Sequence, residues 1–197
     1  MKKIAITGFS RSGTTALTDL LNIDPRIKIT YEKKSYLGMR PNNRRKWNDR
    51  NAALEEMEKQ PVYVGDKTTR PYLEHFGEVK EQADKIIFCL RDPRDIFRSK
   101  YWDLIDGDPV QSYVSHMQNV LEHDITNVLF IRYEWAVLNV EVLAGHISKY
   151  LELETQLDIT GHNYKPVRRL AWNKKPEVEL PQAVYNIMEV IGYETHL

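Results

Sequence analysis

The chain has 197 residues, 42% of them hydrophobic and 28% charged, enough for one sizeable core and at the upper end of single-domain length. Lys plus Arg and Asp plus Glu balance at 28 each, so no global field draws the protein to nucleic acid or to an anionic membrane, and any basic site is local. A single cysteine, Cys89, excludes an internal disulfide framework; with no apolar run of signal-peptide or membrane-spanning length, the expectation is a cytoplasmic protein without a membrane span.

Taken in chain order, the first apolar run is KIAIT (3–7), a predicted strand that leads through GFSRSGTT (8–15) into ALTDLLN, a predicted helix. The segment IKITYE gives a possible second strand ending at Glu32. The polar stretch that follows has helical composition in its second half and stops at Pro61. VYVG (62–65) is a weaker strand, and KIIFCLR (85–91) and NVLFIRY (127–133) are strong ones. Between the last two, a Gly-Asp-Pro turn precedes a helix of about three to four turns by apolar spacing, and PQAVYNIMEVIGYETHL predicts a final amphipathic helix stopped at Gly192. Near-continuous apolar runs alternating with helices predict one α/β domain over 1–197, a three-layer sandwich around a mainly parallel sheet.

The first strand-to-helix loop has the composition of an anion cradle. A glycine-rich turn at a helix N-terminus aims backbone N–H groups and the positive helix end at one point. The spacing from Gly8 to Gly13 is that of a phosphate-binding loop, but Thr14 and Thr15 stand where a nucleotide kinase has Lys and Ser/Thr. The positive group is instead Arg11, flanked by Ser10 and Ser12. A kinase would also need a magnesium-binding acid at a strand end, for which Asp66 and Asp92 are available.

The second such loop, LRDPRDIFRSKYW, repeats the design. Arg91 closes the strand, Asp92 is placed to cap and Pro93 to occupy the first helical turn. With Ser99 on the same helix, leaning back toward the strand end, Arg91 and Ser99 can grip one phosphate; the competing reading pairs Arg91 with Asp92 or Asp95. Parallel sheets bind ligands beyond their C-terminal strand ends. Two grips at two such ends imply a ligand with two separated anionic groups.

With these segments in order, the sequence resembles sulfotransferases that use 3′-phosphoadenosine 5′-phosphosulfate (PAPS). GFSRSGTTALTDLL resembles that family's 5′-phosphosulfate loop, LRDPRDIFRSKYW its 3′-phosphate segment with Arg91, Pro93, Asp95, Ser99 and Tyr101 in register, and FIRYEWAV its strand and RYE turn at Arg132, Tyr133 and Glu134. The resemblance implies a sulfotransferase fold related to phosphate-loop NTPases. It also implies PAPS as donor, 3′-phosphoadenosine 5′-phosphate (PAP) as product, and no required metal. Ser10, Arg11, Ser12, Gly13, Thr14 and Thr15 then hold the phosphosulfate, and Arg91 and Ser99 the 3′-phosphate, with Ser99 between the two phosphate sites.

The resemblance extends to further residues. Glu32 resembles the carboxylate base of glycan sulfotransferases, with Asp66 and His75 as reserves. GDKTTRPY (65–72) resembles a segment that carries Lys67 near the transferred group, and KPVRRLAWNKKP resembles the basic loop over the nucleotide, with Arg168, Arg169, Trp172 and Lys174 as candidates. The implied acceptor is a small molecule or a glycan carrying a hydroxyl or amine, and the eight Lys and Arg of residues 28–50 suit an anionic one. His116, His123, His146, His162 and His196 lack metal-ligand spacing, so no metal site is predicted. Two alternatives stay open, a nucleotide kinase and a non-catalytic nucleotide-binding module. Nothing in the sequence fixes an oligomeric state.

Overall fold

The computed structural model describes residues 1–32, 37, 48–56, 61–67, 69, 73–99, 107–161 and 179–193. Five strands, β1 (Lys2–Gly8), β2 (Ile27–Tyr31), β3 (Tyr63–Lys67), β4 (Lys85–Leu90) and β5 (Val128–Arg132), form one sheet in the order β2-β3-β1-β4-β5. All four pairings are parallel. The helices among the described residues are α1 (Thr14–Leu21), α2 (Asn48–Glu56), α3 (Phe76–Gln82), α4 (Pro93–Phe97), α5 (Pro109–Leu121), α6 (Tyr133–Leu138), α7 (Val140–Tyr150) and α8 (Gln182–Val190).

Alternate strand residues feed two separate cores, which is why the strands read as continuous apolar runs. On one face Ala5, Ile86, Phe88 and Leu90 pack against Phe76 and Val79 of α3, Tyr113 and Met117 of α5, and Val184 and Met188 of α8. On the other, Ile4, Ile6, Ile87, Cys89 and Ile131 meet Leu17, Leu20 and Leu21 of α1 and Leu143, Ala144 and Ile147 of α7. The three-layer α/β architecture expected from the sequence is thus the one observed. Cys89 is buried in its strand, and burial pushes its thiol up to about 12.

Strand β2 lies at the sheet edge, where unpaired backbone groups need partners. Two asparagine amides supply them. Asn22 exchanges a pair of 2.8 Å bonds with the N–H and carbonyl of Ile29, and Asn51 of α2 does the same at Tyr31, at 2.8 and 3.1 Å. Each side chain imitates a neighbouring strand, and together they fix the edge up to Glu32.

At the opposite end of the sheet, the buried Asp24 carboxylate ties the start of β2 to the segment after α7. It accepts from Arg26 Nη2 at 2.7 Å, Arg26 Nε at 2.9 Å and the Asp158 N–H at 2.8 Å, while the Arg26 guanidinium donates onward to Thr155 Oγ1 at 2.8 Å. Burial alone would raise this carboxyl, but the Arg26 hydrogen bond and the N–H groups of Asp158 and Arg26 outweigh it and hold it below the ordinary carboxylate value. A depressed folded pKa contributes stability that is complete above the unfolded value of about 4 and is lost as pH falls through the folded one. Asp24→Asn should therefore cost about 2–3 kcal/mol at pH 7, softened because Arg26 is partly exposed. In urea denaturation the gap between wild type and variant should narrow below pH 4.

Candidate functional site

The strand order places the site. From β1 the chain crosses toward β2, whereas from β4 it crosses toward β5, so the connections diverge and leave a crevice beyond the C-terminal ends of β1 and β4. Gly8 is in register with Cys89, so the two loops leave the sheet side by side.

The first loop turns tightly. Gly8 has φ +150°, and a Cβ there would lie 2.4 Å from the Cys89 carbonyl oxygen and 2.6 Å from Ser12 Oγ. The Ser12 N–H closes the turn on the Phe9 carbonyl at 3.1 Å, and Arg11 adopts left-handed φ 75°. Gly13, the residue before α1, has φ 95° and lies so close to the Tyr133 ring that a Cβ would sit 2.3 Å from Cδ2. Among the described residues no side chain caps this helix end, and its first internal bond runs from Leu17 N–H to the Gly13 carbonyl at 3.1 Å, leaving the N–H groups of Thr14, Thr15 and Ala16 pointing along the helix end. Ser12 Oγ is buried and has no hydrogen-bond partner among the described residues. Arg11 is exposed above the loop and Ser10 is half-buried.

The second loop builds as the sequence predicts at its start: Asp92 caps α4 by accepting from the Arg94 N–H, and Pro93 opens the helix. It then departs from expectation. The helix ends at Phe97, and Ser99 lies beyond it, half-buried, its N–H bonded to the Ile96 carbonyl at 3.1 Å. A helix of five residues has no stretch left to carry Ser99 on the face of Asp92 and Asp95.

Arg91 joins the two loops. Its guanidinium donates to the Arg11 carbonyl at 3.1 Å, stacks on the Tyr133 ring at 4.6 Å and lies 3.5 Å from Asp95. Asp92 is instead taken by Arg94 at 2.6 Å. Burial raises the Tyr133 hydroxyl above its ordinary value, with the Arg91 cation pulling the other way. Tyr133 thus walls the first loop at Gly13 and the second at Arg91, a role that sequence reasoning did not assign. The sequence signal for it was the RYE turn at Arg132, Tyr133 and Glu134, which puts an aromatic residue directly after a strand end.

On the other side of β1 lies a buried ion pair. Lys67 Nζ is 3.0 Å from Glu32 Oε1, with the two side chains 3% and 7% exposed, and the Glu32 N–H donates to the Lys67 carbonyl at 2.7 Å. Glu32 stands at left-handed φ 54° just past β2. Lys67 is in register with Ile6, close to the tip of β1, and its charge reaches the Cys89 thiol. The structure therefore brings Glu32 and Lys67 together beside the first loop. Asp66 is fully buried and accepts from Thr30 Oγ1 and from the Leu37 N–H at 3.1 Å, which ties it to β2 and to Leu37. His75 is largely exposed and lies 3.4 Å from Glu78. Thr68, Tyr101, Arg168, Arg169, Trp172 and Lys174 lie outside the described residues, as does most of the basic stretch after Glu32. Among the described residues no group of His, Cys, Asp and Glu is arranged to hold a metal ion.

No protein-family model matches the chain, and no curated protein matches it in sequence. Solved structures do match it in shape. The sulfotransferase domain of the Synechococcus PCC 7002 olefin synthase superposes with a TM-score of 0.65 at 16% identity, over 98% of this chain and 96% of that one. The sulfotransferase domain from the curacin biosynthetic pathway gives 0.63 at 16% identity over 97% of each chain. Mouse sulfotransferase SULT7A1 complexed with PAP gives 0.50 at 20% identity, over 78% of this chain and 59% of that one. The chain thus has the α/β fold of sulfotransferase domains, with its two basic loops at the switch point of a five-stranded parallel sheet.

Proposed function

We propose that this protein is a PAPS-dependent sulfotransferase that moves a sulfuryl group to an acceptor hydroxyl or amine on a small molecule or glycan. The observation that carries this reading is the first loop: a helix end without a side-chain cap and a buried Ser12 hydroxyl without a partner among the described residues, with Arg11 inside the loop and Thr14 where a kinase has its lysine. That donor set fits a phosphosulfate. Ser10, Arg11, Ser12, Gly13, Thr14 and Thr15 would hold it, and Arg91 and Ser99 would hold the 3′-phosphate, with Arg168, Arg169, Trp172 and Lys174 as further nucleotide contacts. When bound, PAPS supplies an activated sulfuryl group on a phosphate leaving group. The complex of SULT7A1 with PAP supports the choice of nucleotide.

The chain's own residues then do three things. Arg11 and the loop N–H groups stabilise negative charge as it grows at the loop, and such preorganised donors act most strongly where charge develops. Glu32 accepts the proton of the acceptor hydroxyl. Lys67, 3.0 Å from Glu32, fixes the direction of that carboxylate beside the strand that carries the loop. In-line transfer of this kind depends chiefly on positioning and charge stabilisation.

Thermal unfolding with PAP in the absence of metal, set beside ATP with magnesium, tests the donor. PAP at about a hundred times its Kd should add about 2.7 kcal/mol of stability; stabilisation by ATP-magnesium alone would overturn the reading in favour of a kinase. Arg11→Ala should reduce transfer from PAPS by roughly 10²–10³-fold. Glu32→Gln should reduce it by about 10²–10⁴-fold while PAP binding persists. Stabilisation by PAP without turnover across a panel of acceptors would instead identify a binding module.

Gly13 offers a separate check on the loop. A Cβ at Gly13 meets the Tyr133 ring and is strained at φ 95°, so Gly13→Ala should abolish measurable PAP binding and destabilise the fold by about 1–3 kcal/mol. Titration calorimetry and urea denaturation measure both quantities.

A further inference from the structure

The geometry points to Glu134 as a positioning residue of the second anion loop, linking that loop to the turn at the end of α8. This rests on the reading of Arg91 as a nucleotide-phosphate ligand. Glu134 is half-buried at the start of α6, and its two carboxylate oxygens face different partners. Oε1 accepts from the backbone N–H of Asp92 at 3.0 Å, and Oε2 accepts from the Tyr193 hydroxyl at 2.9 Å. The Asp92 N–H belongs to the peptide that follows Arg91, so its direction sets where the Arg91 side chain leaves the strand end.

The preceding residue completes the arrangement. Tyr133 carries the Arg91 guanidinium on its ring, so consecutive residues hold the backbone and the side chain of the same arginine. The far partner is itself fastened. Arg132 stacks on the Tyr193 ring at 4.7 Å and donates to the carbonyls of Ile191 and Gly192. Gly192, at φ 76°, leaves room that a Cβ would fill at 2.7 Å from Arg132 Nη2. Burial, and after it the Glu134 charge, pushes the Tyr193 hydroxyl far up, so it stays a donor at any physiological pH. Each residue of the Arg132-Tyr133-Glu134 turn thus has a distinct task. Arg132 anchors the C-terminal turn, Tyr133 carries the guanidinium, and Glu134 joins the anchored turn to the loop.

The test compares wild type, Glu134→Ala, Glu134→Gln and Tyr193→Phe in the full chain by PAP titration calorimetry, ligand-free thermal unfolding, and steady-state transfer kinetics with the donor and acceptor varied separately. Glu134→Ala should weaken PAP about tenfold and raise the donor KM in proportion, with the acceptor KM unchanged. Glu134→Gln keeps an oxygen for the Asp92 N–H and should stay within about threefold of wild type; Tyr193→Phe should fall between the two. A merely structural role would lower the unfolding temperature of both Glu134 variants and leave the PAP affinity of the folded protein unmoved. PAP affinity in Glu134→Ala within twofold of wild type, or no recovery in Glu134→Gln, would overturn the inference while the donor reading stands. Wild-type protein that ignores PAP would overturn the donor reading first and this inference with it.

Discussion

The hydrogen bond from the Arg91 guanidinium to the Arg11 carbonyl is the interaction on which the arrangement of the site depends. It forms because β1 and β4 are parallel neighbours in register at Gly8 and Cys89, so loops far apart in sequence emerge at the same height. Left-handed backbone at a non-glycine residue costs about 1–3 kcal/mol, and Arg11 carries such a cost at φ 75°. A bond from a charged donor to that residue's own carbonyl is of the size needed to offset it. The second loop therefore helps hold the shape of the first, and the two basic residues form one unit.

Preorganisation of this kind is bought at the sheet's edges and faces. Arg91 sits between the Tyr133 ring and the first loop, which reduces the freedom it would lose on binding the proposed phosphate. Glu32 and Lys67 are held in the same manner on the other flank: Asn51 pins Tyr31, the Lys67 carbonyl fixes the Glu32 N–H, and the ion pair closes the corner. Burying two charges is costly, and replacement of such pairs by apolar residues is often neutral for stability. A buried pair beside the first loop is thus poorly explained by stability alone, and it is consistent with the proton-accepting role proposed for Glu32.

Much of the fold was legible in the sequence for a definite reason. With both sheet faces covered, KIAIT and KIIFCLR read as uninterrupted apolar runs, and Asp92-Pro93 and Asp108-Pro109 mark helix starts that the structure forms. The edge strand β2 was fainter because IKITY includes a lysine and depends on two asparagines from elsewhere to complete its bonding. Ser99 was misplaced because nothing local distinguishes a helix that stops at Phe97 from one that runs on. The burial of Lys67 was equally hidden. A lysine in a strand tip reads as exposed until the tertiary fold delivers Glu32, and no local pattern announces that meeting.

The contrast between the two ends of the sheet follows from what each must do. At the N-terminal end, Asp24 has each oxygen matched by donors from Arg26 and Asp158, so its charge is consumed in holding segments together. At the C-terminal end, donors outnumber what the protein itself supplies: the first turn of α1 is uncapped, and the Ser12 hydroxyl and Arg91 Nε are buried without partners among the described residues. Buried polar atoms without partners are disfavoured in folded proteins, by about 1–3 kcal/mol each. The Ser12 hydroxyl, the Arg91 Nε–H and the open N–H groups of α1 lie around one crevice, and an anion with several oxygens is the kind of ligand that could answer them together. That deficit of partners, more than net charge or the presence of any one arginine, is the physical argument behind the phosphosulfate proposed for this loop.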